Sequence, residues 1–600
     1  MGVQNHKISG KQLKPFLSKK SGSGDTDIIL LENDKVITDE GNVCEILNDY
    51  YVNIAKNIGI ENEEDDIAQH QDVEYIANNH PQDTFQFDVV DEVQVYEKLK
   101  EINPKKATDP DDIPPKLVKL GSPVLAPIIT KVINYGITTS NFPSSLKMAN
   151  VSPVYKKNDN MSKGNYRPVS VLPTISKIFE SILADQLSIF LETVYNPFTA
   201  AFRKQHSCQS VLIKIIEDWK QALDQNKYVG AVLMDLSKAF DCLPHNLLLA
   251  KLKAYGLTDH SINLLRNYLS NRKQRVKIGN NCSEWQNITK GVPQGSILGP
   301  ILFNIFLNDI FASLNETTLY NYADDNTICN SDENIENVKS HLVSMTKIAI
   351  DWFERNCMQA NPEKFQAIFL APGHKKVQTD FSIDNINIKL EKSVKLLGVE
   401  LDDKLKFDIQ VSSMCKKAAK QLNALKRIGH LLDQSSRLTI FRAYIMSNFN
   451  YCPLVWHFCS KKNLSKLERI QERALRFVYR DYKSSYEKLL DQAKLQSLHL
   501  GRLRSLATEI HKAVHGGAPP YVSSLFTERE SEYSLRRNHS LILPPYNTIS
   551  FGKQSIRYTG PKVWNSLPNN LRQTTSLKEF KNLISTWSGT NCTCSLCCYK

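Results

Sequence analysis

Unbroken apolar runs of strand length alternate with amphipathic stripes between about residues 115 and 400, the pattern of an α/β or α+β domain. The run Tyr228 to Met234 (YVGAVLM) has no polar break and stops at Asp235. A strand buried on both faces that ends in an acid presents that acid at the edge of its sheet. Leu236-Ser237-Lys238-Ala239-Phe240-Asp241 follows, and then a helix. Pro244 suits its first turn, Leu248, Leu252 and Tyr255 form its stripe, and Gly256 closes it. Leu319 to Ala323 leads into Asp324-Asp325-Asn326, and Thr327-Ile328-Cys329 leads out, which predicts a β-hairpin with two acids at its tip. Ile297 to Phe311 reads as helix after Gly299-Pro300. From about Asp408 the pattern is mostly helical, until Gly516 to Pro520 break it and a turn-rich segment follows.

Composition narrows the classes. The chain has 600 residues, 41% hydrophobic and 23% charged, which is globular and long enough for several domains. No apolar run approaches the ~18 residues of a membrane span. Ile297 to Phe311 is the longest candidate, and Gly299, Pro300, Asn304, Asn308 and Asp309 interrupt it. The first thirty residues lack an apolar signal segment, so neither a membrane protein nor a secreted one is expected. Residues 1–25 read as a flexible leader and Glu101 to Pro115 as a boundary loop.

Charge is uneven: −11 over residues 1–100, +5 over 101–400 and +18 over 401–600. The basic last third suggests a polyanionic partner. Thirteen cysteines without regular pairing fit reduced thiols inside a cell. Cys592, Cys594, Cys597 and Cys598 cluster at the end, but their spacing suits zinc poorly and a disordered tail better.

If the double-Asp hairpin lies beside the Asp235 strand, three carboxylates converge at one sheet end. Like charges brought together are costly unless a cation neutralises them. An all-oxygen donor set suits Mg²⁺, and two such ions about 3.5–4 Å apart can promote in-line phosphoryl displacement. Adjacent aspartates are also ordinary turn chemistry, so Tyr-Ala-Asp-Asp by itself is a weak signal. Between the acids lies Gly291-Val292-Pro293-Gln294-Gly295-Ser296, whose glycines let backbone approach a flat ligand while Gln294 offers donor and acceptor.

Acid strand, glycine loop with its helix, and double-acid hairpin, in that order, resemble the palm of reverse transcriptases. Asn165-Tyr166-Arg167-Pro168-Val169-Ser170 and Phe202-Arg203-Lys204-Gln205-His206-Ser207 resemble the fingers motifs of retrotransposon enzymes. Asn361-Pro362-Glu363-Lys364 is similar to the motif whose lysine lies near the leaving pyrophosphate. Leu396-Leu397-Gly398-Val399-Glu400-Leu401-Asp402 resembles the primer grip. Leu543-Pro544-Pro545 and Trp564-Asn565-Ser566-Leu567-Pro568 look like the C-terminal region of jockey-type non-LTR retrotransposons, and residues 26–150 resemble the segment after their endonuclease. The chain therefore looks like such a reading frame truncated before the endonuclease. Ala201 and Asp112 depart from the family pattern, which has glycine at both positions.

The resemblance implies an α+β right-hand polymerase with a small antiparallel palm sheet and a mainly helical C-terminal region. It divides the chain into an acidic, linker-like 1–100, fingers-side motifs at 101–225, palm and primer grip at 226–402, and a basic helical thumb at 403–515. A C-terminal extension at 516–600 ends in the Cys-rich tail. The implied activity is RNA-directed DNA synthesis, extending a DNA 3′-hydroxyl with dNTPs on an RNA template, inside the cell and at nuclear target DNA. Asp235 and Asp324, helped by the Leu236 carbonyl and supported by Asp325, would hold two Mg²⁺ ions, with Mn²⁺ as a substitute. Arg203 and Lys204 would neutralise the triphosphate, and Lys364 would serve the leaving group. Gln294 and Gly295 would shape the nucleotide pocket. Phe240, five residues after Asp235, would exclude a ribose 2′-hydroxyl; read alone, it is a core aromatic. The competing reading is a catalytically inactive remnant that only binds RNA.

Arg469, Arg473, Arg476 and Arg480 are spaced 4, 3, 4, so a helix puts them on one face, with Leu467, Ile470, Ala474 and Val478 opposite. Such a face suits a phosphate backbone, and in the resemblance it belongs to the thumb that holds template and primer.

Overall fold

A computed structural model describes residues 28–57, 70–80, 83–108, 110–314, 319–373, 375, 377, 381–383, 386–529 and 539–589. It is a mixed fold of helices and small sheets. The central sheet has five strands in the order Lys389–Leu390, Gln366–Leu370, Tyr228–Met234, Asp325–Asp332, Leu319–Tyr322. Every neighbouring pair is antiparallel except the first, which is parallel. Tyr228–Met234 lies inside the sheet, which accounts for a run without polar alternation: Val232 and Met234 enter one core, Val229 and Ala231 the other. Helix Ile335–Arg355 covers one face so closely that a Cβ on Gly230 would sit 2.6 Å from Leu342. Helix Cys208–Asp224 covers the other.

A second sheet joins Tyr166–Val171, Met148–Tyr155 and Arg272–Ile278, with Met148–Tyr155 antiparallel to the first and parallel to the last. Among the helices, Lys251 and Asp309 form an ion pair at 2.7 Å with both side chains almost fully buried. Trp352 Nε1 donates to the same carboxylate at 3.0 Å. Such a pair survives burial only because its remaining hydrogen-bonding capacity is met.

The described part of residues 1–100 is not linker-like. Hairpin Leu30–Glu32/Lys35–Ile37 and helix Glu40–Val52 pack Val43, Leu47 and Tyr51 against Val151 and Val276 of the second sheet. Glu92–Glu101, started by an Asp91/Gln94 capping box, buries Val95 and Leu99 in the same core as Ile129 and Ile133 of Ser122–Thr138. The 101–115 loop is thus a connection inside one packed unit.

Helices Asp408–Ile428, Lys461–Tyr479 and Leu498–Val514 share a core with the sheet face of Val229 and Ala231. The extension after residue 516 joins that core through Val563, Trp564 and Phe580. It is fastened to Cys208–Asp224: Glu217 accepts from Ile556 N and Arg557 N at 2.8 and 2.9 Å, and Lys220 Nζ donates to Gln554 O at 2.7 Å. The four tail cysteines lie outside the described residues. Among the described residues no helix is long and apolar enough to cross a membrane.

The two departures from glycine differ physically. Asp112 has φ 54°, a left-handed conformation that costs a non-glycine residue about 1 kcal/mol. Ala201 is fully buried without positive φ and carries no such strain.

Candidate active site

The ladder between Tyr228–Met234 and Asp325–Asp332 pairs Asn326 with Met234 last, so Asp325 and Asp235 occupy its next position. Asp324 sits in the hairpin turn between Ala323, at φ 57°, and Asp325. The turn is held from within: Asn321 Nδ2 donates to Ala323 O at 2.8 Å and to Asn326 Oδ1 at 2.9 Å. The acids feel one another. Asp325's carboxyl is pushed up to about 6, first by burial, then by the charges of Asp324 and Asp235, while Lys156 pulls it down.

The segment 359–361 buttresses Asp235 from the other edge. Asn361 N donates to Asp235 O at 3.0 Å and Ser237 N to Gln359 O at 2.9 Å, around an antiparallel Leu236–Ala360 bridge. In that pattern the peptide groups of Leu236 turn away from Ala360, toward the hairpin side. Lys364, just beyond, meets Asp235 Oδ2 at 3.1 Å with both side chains largely exposed, a weak and exchangeable pair. Among the described residues no three His, Cys, Asp or Glu side chains already form a metal-holding cluster. The donors present fit Mg²⁺ in its usual manner: one or two carboxylates and a carbonyl, with substrate phosphates and water completing the shell.

The glycine loop closes on protein. Gly291 N and Val292 N donate to Leu243 O and Phe240 O at 2.8 and 2.9 Å. A Cβ on Gly291 would lie 2.6 Å from Asp241 O, and one on Gly295, at φ 135°, would lie 2.4 Å from Ser170 O. Gln294 Nε2 donates to both oxygens of Asp241 at 2.8 and 2.9 Å, and Gln294 O accepts from Ser170 N at 2.8 Å. The glycines therefore let the loop lock onto the turn after Asp235 and onto the second sheet. Burial raises Asp241's carboxyl to about 6 despite that hydrogen bond and nearby Lys238.

The family model for reverse transcriptase (RNA-dependent DNA polymerase) matches residues 154–401. That span holds the acid strand, the glycine loop, the hairpin and the 361–364 segment. Residues 154–401 are thus similar to a reverse transcriptase domain. Similar proteins include the probable RNA-directed DNA polymerase from transposon BS of Drosophila melanogaster, 25% identical over 64% of this chain and 44% of that protein. The RNA-directed DNA polymerase from mobile element jockey of Drosophila funebris is 24% identical over 64% of this chain and 43% of its own length. A Pol polyprotein from the type-1 element R1 of Bradysia coprophila is 23% identical over 82% and 46%. The chain thus spans less than half the length of these relatives.

Within residues 154–401, the Arg203 side chain is engaged by neighbouring groups of the chain. Its guanidinium bonds Glu192 Oε2 at 2.8 Å and the carbonyls of Asn196 and Thr199 at 2.9 and 2.8 Å, and lies over the Tyr195 ring. That cation is committed to the chain itself. Lys204 is exposed. Three cations that sequence reasoning did not single out are coupled to the site. Lys156 interacts electrostatically with Asp235 and Arg167, and Lys238 with Lys156, Arg167 and Asp241. Burial and the neighbouring cations depress both lysines. Pairing of Val154 with Arg167 puts Lys156 and Arg167 at one end of a hairpin, which was readable from the strands flanking the Asn165 motif.

Phe240 is half-buried. It stacks on Phe303 at 4.0 Å between centroids and meets Phe202 edge-on at 6.3 Å. Leu396–Val399 is a tight turn, with Leu397 and Gly398 at φ 45° and 81° and Tyr451 Oη donating to Leu397 O at 2.6 Å. On helix Lys461–Tyr479, Arg469 and Arg473 are exposed as expected. The other two are not available in the same way. Arg476 pairs with Glu472 at 2.7 Å and donates to Ser484 O at 3.0 Å, and Arg480 is the left-handed C-cap at φ 55°, off the helical face.

Proposed function

We propose that the chain is an RNA-directed DNA polymerase of the non-LTR retrotransposon type, built as fingers, palm and thumb around the central sheet. The observation that carries the reading is the ladder register that sets Asp235 opposite Asp325 beside a turn bearing Asp324. The 3′-hydroxyl oxygen of a DNA primer loses its proton to solvent and forms a bond to the α-phosphorus of a dNTP, the α–β bridging P–O bond breaks, and pyrophosphate leaves. Asp235 and Asp324, with the Leu236 carbonyl, hold the divalent cations, and Asp325 supports them. When bound, Mg²⁺ stabilises charge on the attacking and leaving oxygens. Lys156, Arg167 and Lys238 take the triphosphate contact expected of Arg203, with Lys204 beyond them. Lys364 exchanges Asp235 for the departing pyrophosphate. The exposed edge of Phe240 closes the space of a 2′-hydroxyl, while Gln294 and Gly295 fix the turn that carries it. Leu397-Gly398 supports the primer end, and the basic helices around Arg469 and Arg473 hold the duplex. RNA template, DNA primer or target DNA, and dNTPs are the partners, with action in the nucleus.

The test is Mg²⁺-dependent incorporation of dTTP on a poly(rA)/oligo(dT) template. Steady incorporation supports the reading. Binding of that duplex without incorporation, in Mg²⁺ or Mn²⁺, favours the inactive RNA-binding remnant.

A further inference from the structure

Residues 28–52 grip one loop, Lys156 to Asn165, at three separate points. Leu31 N donates to Met161 O at 2.9 Å. Glu32 Oε1 meets Lys163 Nζ at 2.6 Å. The Tyr50 ring faces two ammonium groups, Lys163 at 5.7 Å and Lys238 at 5.9 Å from its centroid. Its hydroxyl also lies against Gly164, where an added Cβ would be 3.5 Å away. Lys238 reaches the same glycine, with Nζ 3.4 Å from Gly164 O.

The loop is placed to matter. It joins Met148–Tyr155 to Tyr166–Val171, so Lys156 begins it and Arg167 stands just past its end. Lys238 opens the turn after Asp235 in a left-handed conformation, φ 49°. These cations repel one another, and long side chains lose rotamer freedom when ordered. An aromatic face attracts ammonium groups electrostatically and offsets part of that cost. Tyr50 sits at the rim of the core formed by Val43, Leu47, Tyr51, Val151 and Val276, so shortening it leaves that core in place.

We propose that residues 28–52 are a clamp that holds the Lys156–Asn165 loop and Lys238 over the triphosphate, with Tyr50 as a positioning residue. The proposal deepens the polymerase reading and rests on it. The acidic N-terminal region then contributes to nucleotide capture through the Tyr50 face against the cations, without touching the reacting atoms.

Full-length Tyr50→Ala and Tyr50→Phe variants test it through dTTP kinetics and amide hydrogen exchange of residues 156–165. A partly exposed cation–π contact of about 0.5–1 kcal/mol converts to roughly a 2- to 5-fold effect. Tyr50→Ala should therefore raise KM for dTTP about 2- to 5-fold with kcat within about twofold, and speed exchange in the loop. Tyr50→Phe, which keeps the ring, should restore both. An unchanged KM, or kcat and KM failing together without rescue by phenylalanine, overturns the positioning role. Loop exchange needs no turnover: if it is unaltered in Tyr50→Ala, the clamp is wrong even in an inactive protein. A wild type that incorporates nothing while exchange responds to Tyr50 overturns the polymerase reading and keeps the clamp.

Discussion

Replacing Arg469 and Arg473 together by alanine should flatten the salt dependence of template–primer binding. Both side chains are exposed on helix Lys461–Tyr479, one turn apart, beside Asp408–Ile428 with its exposed Lys416, Lys417 and Lys420. Each cation that neutralises a duplex phosphate releases condensed counterions, contributing about 0.9 to the slope of log K against log[salt]. Losing two contacts lowers the slope by about 1.8. Between 50 and 200 mM salt, the wild type should then lose about 12-fold more affinity than the double variant. Fluorescence anisotropy with a labelled hybrid across that range reads the effect, and weakening should be similar for unrelated sequences because phosphate contacts do not read bases. Arg476→Ala is the internal control. Its guanidinium is paired with Glu472, so it should shift the slope much less. A double variant with wild-type slope and affinity refutes a duplex-binding role for this face.

Three further outcomes follow from particular contacts. Phe240→Val should narrow the dNTP/rNTP preference mainly by improving rNTP use, measured as the ratio of kcat/KM values; an unchanged ratio leaves Phe240 as the packing partner of Phe303. Gly295→Ala forces a Cβ to within 2.4 Å of Ser170 O at φ 135° and should cost about 1–3 kcal/mol in chemical denaturation, with activity falling in parallel. Lys251→Met strands the Asp309 carboxylate in the core and should destabilise by about 3–5 kcal/mol, whereas adding Asp309→Leu should recover much of the loss.

The sequence was most informative where local chemistry and tertiary placement coincide. The unbroken run before Asp235 and the Asp-Asn turn after Tyr322 each specify their element and their position at a strand end, so the convergence of acids was legible. The pairing of Arg203 was not legible, because its partner, Glu192, belongs to the preceding helix end, a tertiary contact that no spacing rule announces. The pairing of Arg476 was legible in the spacing: Glu472 four residues before it is an ordinary helical ion-pair partner. At Gly295 the need for a bare backbone was legible, but the object approaching it, the Ser170 carbonyl, was not. Short helical patterns between the acidic stretches of residues 26–100 were legible, but the packing of Val43, Leu47 and Tyr51 on the second sheet was not.

Asp324→Asn tests the central claim most directly, because it removes one carboxylate oxygen of the proposed metal site from an exposed turn without touching the core or the basic helices. Incorporation and duplex binding are measured side by side on the wild type and the variant. The account predicts loss of incorporation to background with binding of the hybrid within about twofold of wild type. Near-normal incorporation by Asp324→Asn would contradict it.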